Sequence, residues 1–309
     1  SDDGEHDFLW IEKRGANTAW VARQLARHAG VPAKDVGYAG LKDRHAVTRQ
    51  WFSVRRPSGA GTDWEASEIA GVRILDTGRN RRKLRRGAHT GNIFKIVVRG
   101  VDCAAPLIEE RLGRIGATGV PNYFGPQRFG RDGANLALAK ALFAGERMRR
   151  ERRSIAVSAA RSYLFNDILS HRVIDGTWDR VLAGDLVSLD GSASFFSALS
   201  VTDDILARAE RHELHPTGPL WGLADMIPDG QPAKTEREIA ERHADLAGGL
   251  EAAGAAMGRR ALRTVPRQLI WRNSGGTLSL SFQLDRGAFA TALLREICSL
   301  VSVSPSVRA

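Results

Sequence analysis

Apolar positions along the chain recur with two different periods, and together they predict an order of elements. In NTAWVARQLARHAG, Val21, Ala22, Leu25 and Ala29 recur at helical spacing behind the cap candidates Asn17 and Thr18, and Gly30 with Pro32 stops the run. TRQWFSV at 48–54 and IFKIVVRG at 93–100 are rich in β-branched and aromatic residues and predict strands. PLIEERLGRI places Ile108, Leu112 and Ile115 on one face of a second helix. From 135 to 176 the text is largely helical, with Leu164, Ile168 and Leu169 in one buried stripe, and from 235 to 257 Ile239, Leu246, Leu250 and Met257 continue that theme. Between them, SFFSAL and the Pro- and Gly-punctuated HPTGPLWG and IPDGQP read as loops around short strands. GTLSLSFQL alternates Leu278, Leu280, Phe282 and Leu284 with polar residues and is the clearest half-buried strand; GAFATALLREICSLV then reads as a helix with Leu293, Ile297 and Leu300 inward. Strand-bearing ends around a helical middle predict an α+β (mixed α/β) chain in which one domain is interrupted by an insertion.

Charge adds a partner to this outline. The 309 residues, 43% hydrophobic, carry 45 Lys plus Arg against 35 Asp plus Glu, a formal net charge of +10 that suits a polyanion such as nucleic acid. Much of it is concentrated. Arg79, Arg81, Arg82, Lys83, Arg85 and Arg86 crowd into GRNRRKLRRGAHTGN, and RMRRERR follows at 147–153. A single charge run is usually a solvated face, but two in so basic a chain point to phosphate-backbone binding, which positions a nucleic acid without reading its sequence. Tyr123, Phe124 and Phe129 in VPNYFGPQRFG add aromatic faces that could stack an exposed base. Cys103 and Cys298 stand far apart, and no run approaches eighteen apolar residues. The amino end, SDDGEHDFLW, has no signal-peptide pattern, so the expectation is a cytoplasmic protein without a membrane segment. The sequence leaves the oligomeric state open, a monomer being compatible with it. No P-loop, dinucleotide fingerprint or nucleophile elbow is present, and His212 and His215, the one close histidine pair, have no third ligand at a metal-binding spacing. The expected chemistry therefore uses neither metal nor cofactor.

One acid then stands out. In GYAGLKDRHAVTRQW, Asp43 sits between Lys42 and Arg44 after a glycine-rich turn. It reads either as a turn residue balanced by its neighbours or as a partly buried carboxylate that those cations hold ionised for chemistry; local sequence leaves both open.

Five blocks in order resemble the TruD family of tRNA pseudouridine synthases. GYAGLKDRHAVTRQW is similar to the family's catalytic G-x-K-D-[KR]-x-A motif, RKLRRGAHTGNIFKI to its basic segment ending in Gly-Asn-x-Phe, and VPNYFGPQRFG to its N-Y-F-G-x-Q-R-F-G signature; SAARSYLFN and GAFATALLRE match later blocks. The resemblance implies Asp43 as the catalytic aspartate, with Lys42 and Arg44 beside it, and Asn92, Phe94 and Phe289 lining a uridine pocket. It implies a catalytic domain with a mostly antiparallel sheet, circularly permuted, at 1–118 and 265–309, and an inserted α/β TRUD domain at 119–264. The family also carries a preceding strand region with a Pro-Glu-Asp-Phe block, and the resemblance sets SDDGEH downstream of it. The implied activity is isomerisation of a tRNA uridine, at position 13, to pseudouridine. The rival readings are a noncatalytic RNA-binding or chaperone module and a hydrolase that cleaves the same glycosidic bond.

Overall fold

The computed structural model describes residues 4–56, 61–192, 194–223 and 227–299. They form two compact units, Ser1–Thr90 and Gly91–Ala309.

The first unit opens with β1 (His6–Lys13), whose apolar side chains lie on both faces: Leu9 and Ile11 are fully buried, while Phe8 and Trp10 are half-buried on the other side. Such a strand shows no clean alternation, so periodicity does not reveal it. Helix α1 (Thr18–His28), strand β2 (Val36–Tyr38), strand β3 (Thr48–Arg55) and strand β4 (Val72–Asn80) follow. The sheet order is β2-β3-β1-β4, antiparallel throughout. Val21 and Leu25 of α1 pack on Leu9, Ile11, Phe52 and Val54 to make the core. β4 is an edge strand with an exposed, polar second half, a composition that discourages edge-to-edge pairing and hides the strand from a hydrophobic pattern.

The second unit begins with β5 (Gly91–Arg99), α2 (Ala105–Thr118), β6 (Val120–Pro121), α3 (Ala134–Phe143) and α4 (Arg150–Ile174). Next come β7 (Asp185–Leu189), β8 (Phe195–Ala198), α5 (Asp203–Glu210), β9 (Leu214–Leu220), α6 (Gly230–Arg242) and α7 (Ala244–Ala252). It closes with β10 (Gly258–Ala261), β11 (Arg263–Thr264), β12 (Arg267–Ser274), β13 (Thr277–Asp285) and α8 (Ala290–Ile297). β13 is the centre of a three-stranded antiparallel sheet ordered β12-β13-β5. The alternation read from GTLSLSFQL holds: Leu278, Leu280, Phe282 and Leu284 are buried and meet Ile108, Leu112 and Ile115 of α2 and Leu293 and Ile297 of α8. Leu300 lies outside the described residues. β6 pairs with β11, so the chain passes Val120 and returns at Thr264 side by side. Between those points, α3, α4 and α7 share a core of Ala139, Ala160, Leu164, Leu246 and Leu250, beside a sheet ordered β10-β9-β7-β8.

Two expectations are corrected here. HPTGPL is not a loop but most of the buried strand β9. Its prolines are tolerated because β7 pairs with 214–216 and β10 with 217–220, so each half is laddered by a different neighbour. The helical reading of 235–257 also overshoots: the chain breaks at His243, α7 ends at Ala252, Gly254 adopts φ +69°, and Met257 lies outside the helix.

His215 on β9 is 5% exposed and bridges two charged groups. Arg263 Nε donates to its Nδ1 at 2.9 Å, which assigns the ring proton to Nε2, 3.0 Å from Asp190 Oδ1. Burial, opposed by Asp190 and reinforced by Arg263, holds its pKa below 6.5. His6 and His212 are lowered as well, burial being the first cause in both. The unfolded chain thus binds more protons than the folded one on the acid side, and stability present above pH 6.5 is lost as pH falls below it. Calorimetry at pH 7.5, 6.5 and 5.5 is expected to show the unfolding midpoint dropping by about 2–4 °C for each kcal/mol lost, with a shallower dependence in His215→Asn.

Candidate active site

The loop from Ala39 to Val47 joins β2 to β3 and is tied down from beneath. Of the two cap candidates in the sequence, Asn17 is the cap residue, without a side-chain cap bond, and Thr18 opens the helix; the Thr18 hydroxyl accepts the Lys42 backbone N–H at 3.0 Å and Gln50 Nε2 at 3.3 Å. Lys13 Nζ donates to the Asp43 carbonyl at 2.6 Å. Asp43 Oδ1 accepts the His45 N–H at 2.9 Å, an Asx turn that orients the carboxylate.

Asp43 itself is exposed, which corrects the expectation of a partly buried carboxylate. Burial at this loop falls instead on the cations. Lys13 is only 1% exposed, and burial lowers its pKa, with Lys42 adding to that effect and the Asp43 charge opposing it. Burial also lowers the pKa of half-buried Lys42. Arg44 points its Nε at the Gly15 carbonyl, 3.2 Å away. Lys13 escapes motif reading, yet a signal is available: it shares the parity of Leu9 and Ile11 on β1, which puts a lysine on the buried face.

The other expected site residues lie in the second unit. β5 starts at Gly91, where a Cβ would come within 2.6 Å of the Leu284 carbonyl oxygen, so only glycine lets the strands approach this closely. Asn92 then faces Leu284 and Phe94 faces Phe282 in register, the two phenylalanine rings stacked at 5.5 Å and 26°. Phe289 is the cap residue of α8, just beyond Gly287 at φ +89°, and its ring meets Phe124 edge-on at 5.9 Å. Phe94 thus borders the β13 core, and Phe289 borders a cluster of Phe124, Phe165, Leu169 and Leu262.

Phe124 of NYFGPQRFG is buried rather than offered to a base. The Arg260 guanidinium lies 4.1 Å from its ring centroid and Arg128 lies 5.3 Å away, while the Asn166 amide holds its N–H and C=O at 2.9 and 3.0 Å. Tyr123 reaches the Ser170 hydroxyl, and Phe129 packs edge-on against Tyr163. The aromatic block is a structural knot. Arg260, which no sequence pattern singles out, completes it by donating to Asn122 Oδ1 at 2.6 Å and to the Gly287 carbonyl at 3.0 Å, bracing the turn before Phe289. Burial, with Arg128 nearby, lowers its pKa to about 9.

The basic run leaves Arg79 on β4 and crosses to β2 at the other edge of the first sheet. Lys83 donates to the Lys34 carbonyl, Leu84 N–H to Ser53 Oγ at 2.9 Å, Arg86 to the Tyr38 hydroxyl at 2.7 Å, and Gly87 N–H to the Ala39 carbonyl at 2.7 Å. Arg81, Arg82 and Arg85 are exposed. Among the described residues, none of Arg81, Arg82, Lys83, Arg85 and Arg86 forms an ion pair with a carboxylate.

The family described as tRNA pseudouridine synthase D (TruD) matches residues 1–149 and 139–297. The tRNA pseudouridine synthase D of Methylococcus capsulatus is 48% identical over 297 residues, covering 95% of this chain and 84% of the relative. The chain belongs to the TruD family. A second TruD relative, from Pseudomonas fluorescens, is 46% identical over 308 residues, covering 98% of this chain and 87% of the relative. A solved structure described as a putative TruD from Methanosarcina mazei shares the fold, with a TM-score of 0.70 at 21% identity over 96% of this chain and 88% of that one. TruD proteins are isomerases, and the mixed α/β architecture with antiparallel sheets agrees with the fold expected. Among the described residues, no helix is long and apolar enough to cross a membrane.

Proposed function

We propose that this chain isomerises a uridine of tRNA to pseudouridine, with Asp43 as the catalytic residue and no cofactor, and that the target is uridine 13. The observation that carries the reading is the Asp43 loop itself: a single exposed acid whose carbonyl is held by the buried Lys13 and whose neighbour Lys42 is held through its backbone N–H by the buried Thr18, in a chain of the TruD family. In the reaction the N1–C1′ bond breaks, the uracil turns while bound, C5 bonds to C1′, and the proton displaced from C5 is balanced by one gained at N1. Nothing is added or removed, so an ionised carboxylate suffices, acting at C1′ as nucleophile or at C2′ as base. Lys13, whose ammonium is held on the Asp43 carbonyl, interacts electrostatically with the carboxylate and so supports its negative charge. The family resemblance assigns Asn92, Phe94 and Phe289 to the uridine pocket, roles that suit an amide able to bond a uracil edge and phenylalanines able to exclude water. The reading places the enzyme in the cytoplasm, where tRNA is found, and takes 119–264 as an inserted domain, a division supported by the β6–β11 pairing at its two ends.

Mapping pseudouridine in tRNA incubated with the chain tests the proposal. One new pseudouridine is expected; none, or release of free uracil, overturns it. Extruding the uridine from folded RNA costs a few kcal/mol, which phosphate binding by Arg79, Arg81, Arg82, Lys83, Arg85 and Arg86 would offset. Replacing Arg81, Arg82 and Arg85 together with Ala is expected to weaken tRNA binding at least about tenfold and to reduce the salt slope by about one for each phosphate no longer neutralised, measured by filter binding. An unchanged slope would reduce the run to a solvated face.

A further inference from the structure

A cavity of about 610 Å³ opens in the first unit between α1, β2 and the basic run. Its floor is small and apolar, formed by Ala19 and Ala22 of α1 and Val36 of β2. Its rim is cationic, with Arg23 of α1 facing Arg85 and Arg86 of the run. Asp43 does not line it, but Tyr38, which does, is the last residue of β2 and leads directly into the Asp43 loop.

The fold builds this space into the seat of the run. A Cβ at Gly37 would approach Ser53 Oγ to 2.6 Å and strike the Leu84 carbonyl, so glycine is what lets the run settle onto β2. The Arg86 guanidinium lies over the Tyr38 ring, 4.9 Å from its centroid, while also donating to its hydroxyl. That pairing holds a flat cationic plate at the cavity mouth. Elsewhere in the unit arginines gather on a carboxylate, as Arg14, Arg49 and Arg73 do on Glu12. Among the described residues, Arg23, Arg85 and Arg86 have no such ion pair. An apolar floor and a stacking plate match the two faces of a base, and unneutralised cations match its phosphate. The volume suits one such group and not a duplex.

We propose that this cavity is a subsite for one unstacked nucleotide of the tRNA flanking the target uridine, its base over Ala19 and against Arg86, its phosphate between Arg23 and Arg85. The inference rests on the tRNA reading of the Asp43 site. Binding a neighbour here would hold the strand open beside Asp43 and offset part of the cost of extruding the target.

Two variants test it. Ala19→Leu narrows the cavity without changing charge, and Arg23→Ala removes one rim cation at an exposed helix position, so it carries the test even if Ala19→Leu fails to fold by circular dichroism. Equilibrium tRNA binding across a KCl series is expected to weaken about tenfold in both; the salt slope should stay at its wild-type value in Ala19→Leu and fall by about one in Arg23→Ala. Wild-type affinity in both folded variants overturns the subsite. Uridine 5′-monophosphate that binds the wild type but not Ala19→Leu, while tRNA affinity is unaltered, overturns it in favour of a free-nucleotide site. A wild-type chain that binds tRNA in this variant-sensitive way yet forms no pseudouridine supports the subsite and sinks the catalytic reading instead.

Discussion

Asp43→Asn is expected to lower single-turnover pseudouridine formation by about 10⁴-fold or more, the scale seen when a nucleophile or essential base is removed. The substitution is chosen to leave the loop intact. Asparagine has the same shape, and its Oδ1 can still accept the His45 N–H that now closes the Asx turn. The Lys13 bond is unaffected, because it goes to the backbone carbonyl of residue 43 and not to the side chain. What disappears is the negative charge and the ability to attack C1′ or take a C2′ proton, neither of which an amide supplies. Removing that charge also takes away the one influence that raises the Lys13 pKa. Affinity for tRNA is expected to stay within a few-fold, because the cations that would meet phosphate lie on the 79–86 run. Filter binding beside a single-turnover assay checks both halves. Turnover at the wild-type rate would end the assignment of Asp43.

The elements whose periodicity can be read from the sequence are those where one face alone is buried. β13 and α2 fit their periodicity because each meets the core on a single side, and α1 does so for the same reason, whereas β3, buried on both faces at Phe52, Ser53 and Val54, is read from its β-branched and aromatic composition. β1 escapes because both faces carry apolar residues, β4 because its second half is exposed and polar, and β9 because its prolines imitate a loop while two different partners share its ladder. At the site, motif order points to Asp43, Asn92, Phe94 and Phe289 as a set, but it misplaces the physical roles around them. Lys42 and Arg44 draw attention because they are adjacent in sequence, yet Arg44 turns to Gly15, and the cation beneath the loop arrives from 30 residues upstream. Phe124 suggests a stacking face, yet its ring is already covered by Arg260, which lies more than a hundred residues away in the chain and comes beside it through the pairing at β6 and β11. Local sequence names the residues that do chemistry more readily than those that hold them, because the holders come from distant elements.

Lys13→Met carries that distinction into a measurement. The expected result is a fall in single-turnover rate of about 10²–10³-fold, the scale of removing one preorganised electrostatic group, with tRNA affinity nearly unchanged. Stability should move the other way from activity or hardly at all. Methionine fills a similar volume and relieves the cost of burying an ammonium group that is 1% exposed, and this offsets leaving the Asp43 carbonyl without its donor. The pH dependence separates a positioning role from a packing role. Because burial holds the Lys13 pKa below 10.5, the folded wild type releases this proton more readily than the unfolded chain does. Its stability therefore rises with pH between the folded value and 10.5, and the Met variant loses that rise. Its rate should fall over the same alkaline interval as the ammonium beneath Asp43 is neutralised, whereas the Met variant should show a low rate without that limb. Lys13→Arg keeps a charge that does not titrate there, so any activity it restores should also lack the limb. A Met variant that is as active as the wild type, or one that keeps the alkaline limb, would mean that Lys13 only fills space under the loop.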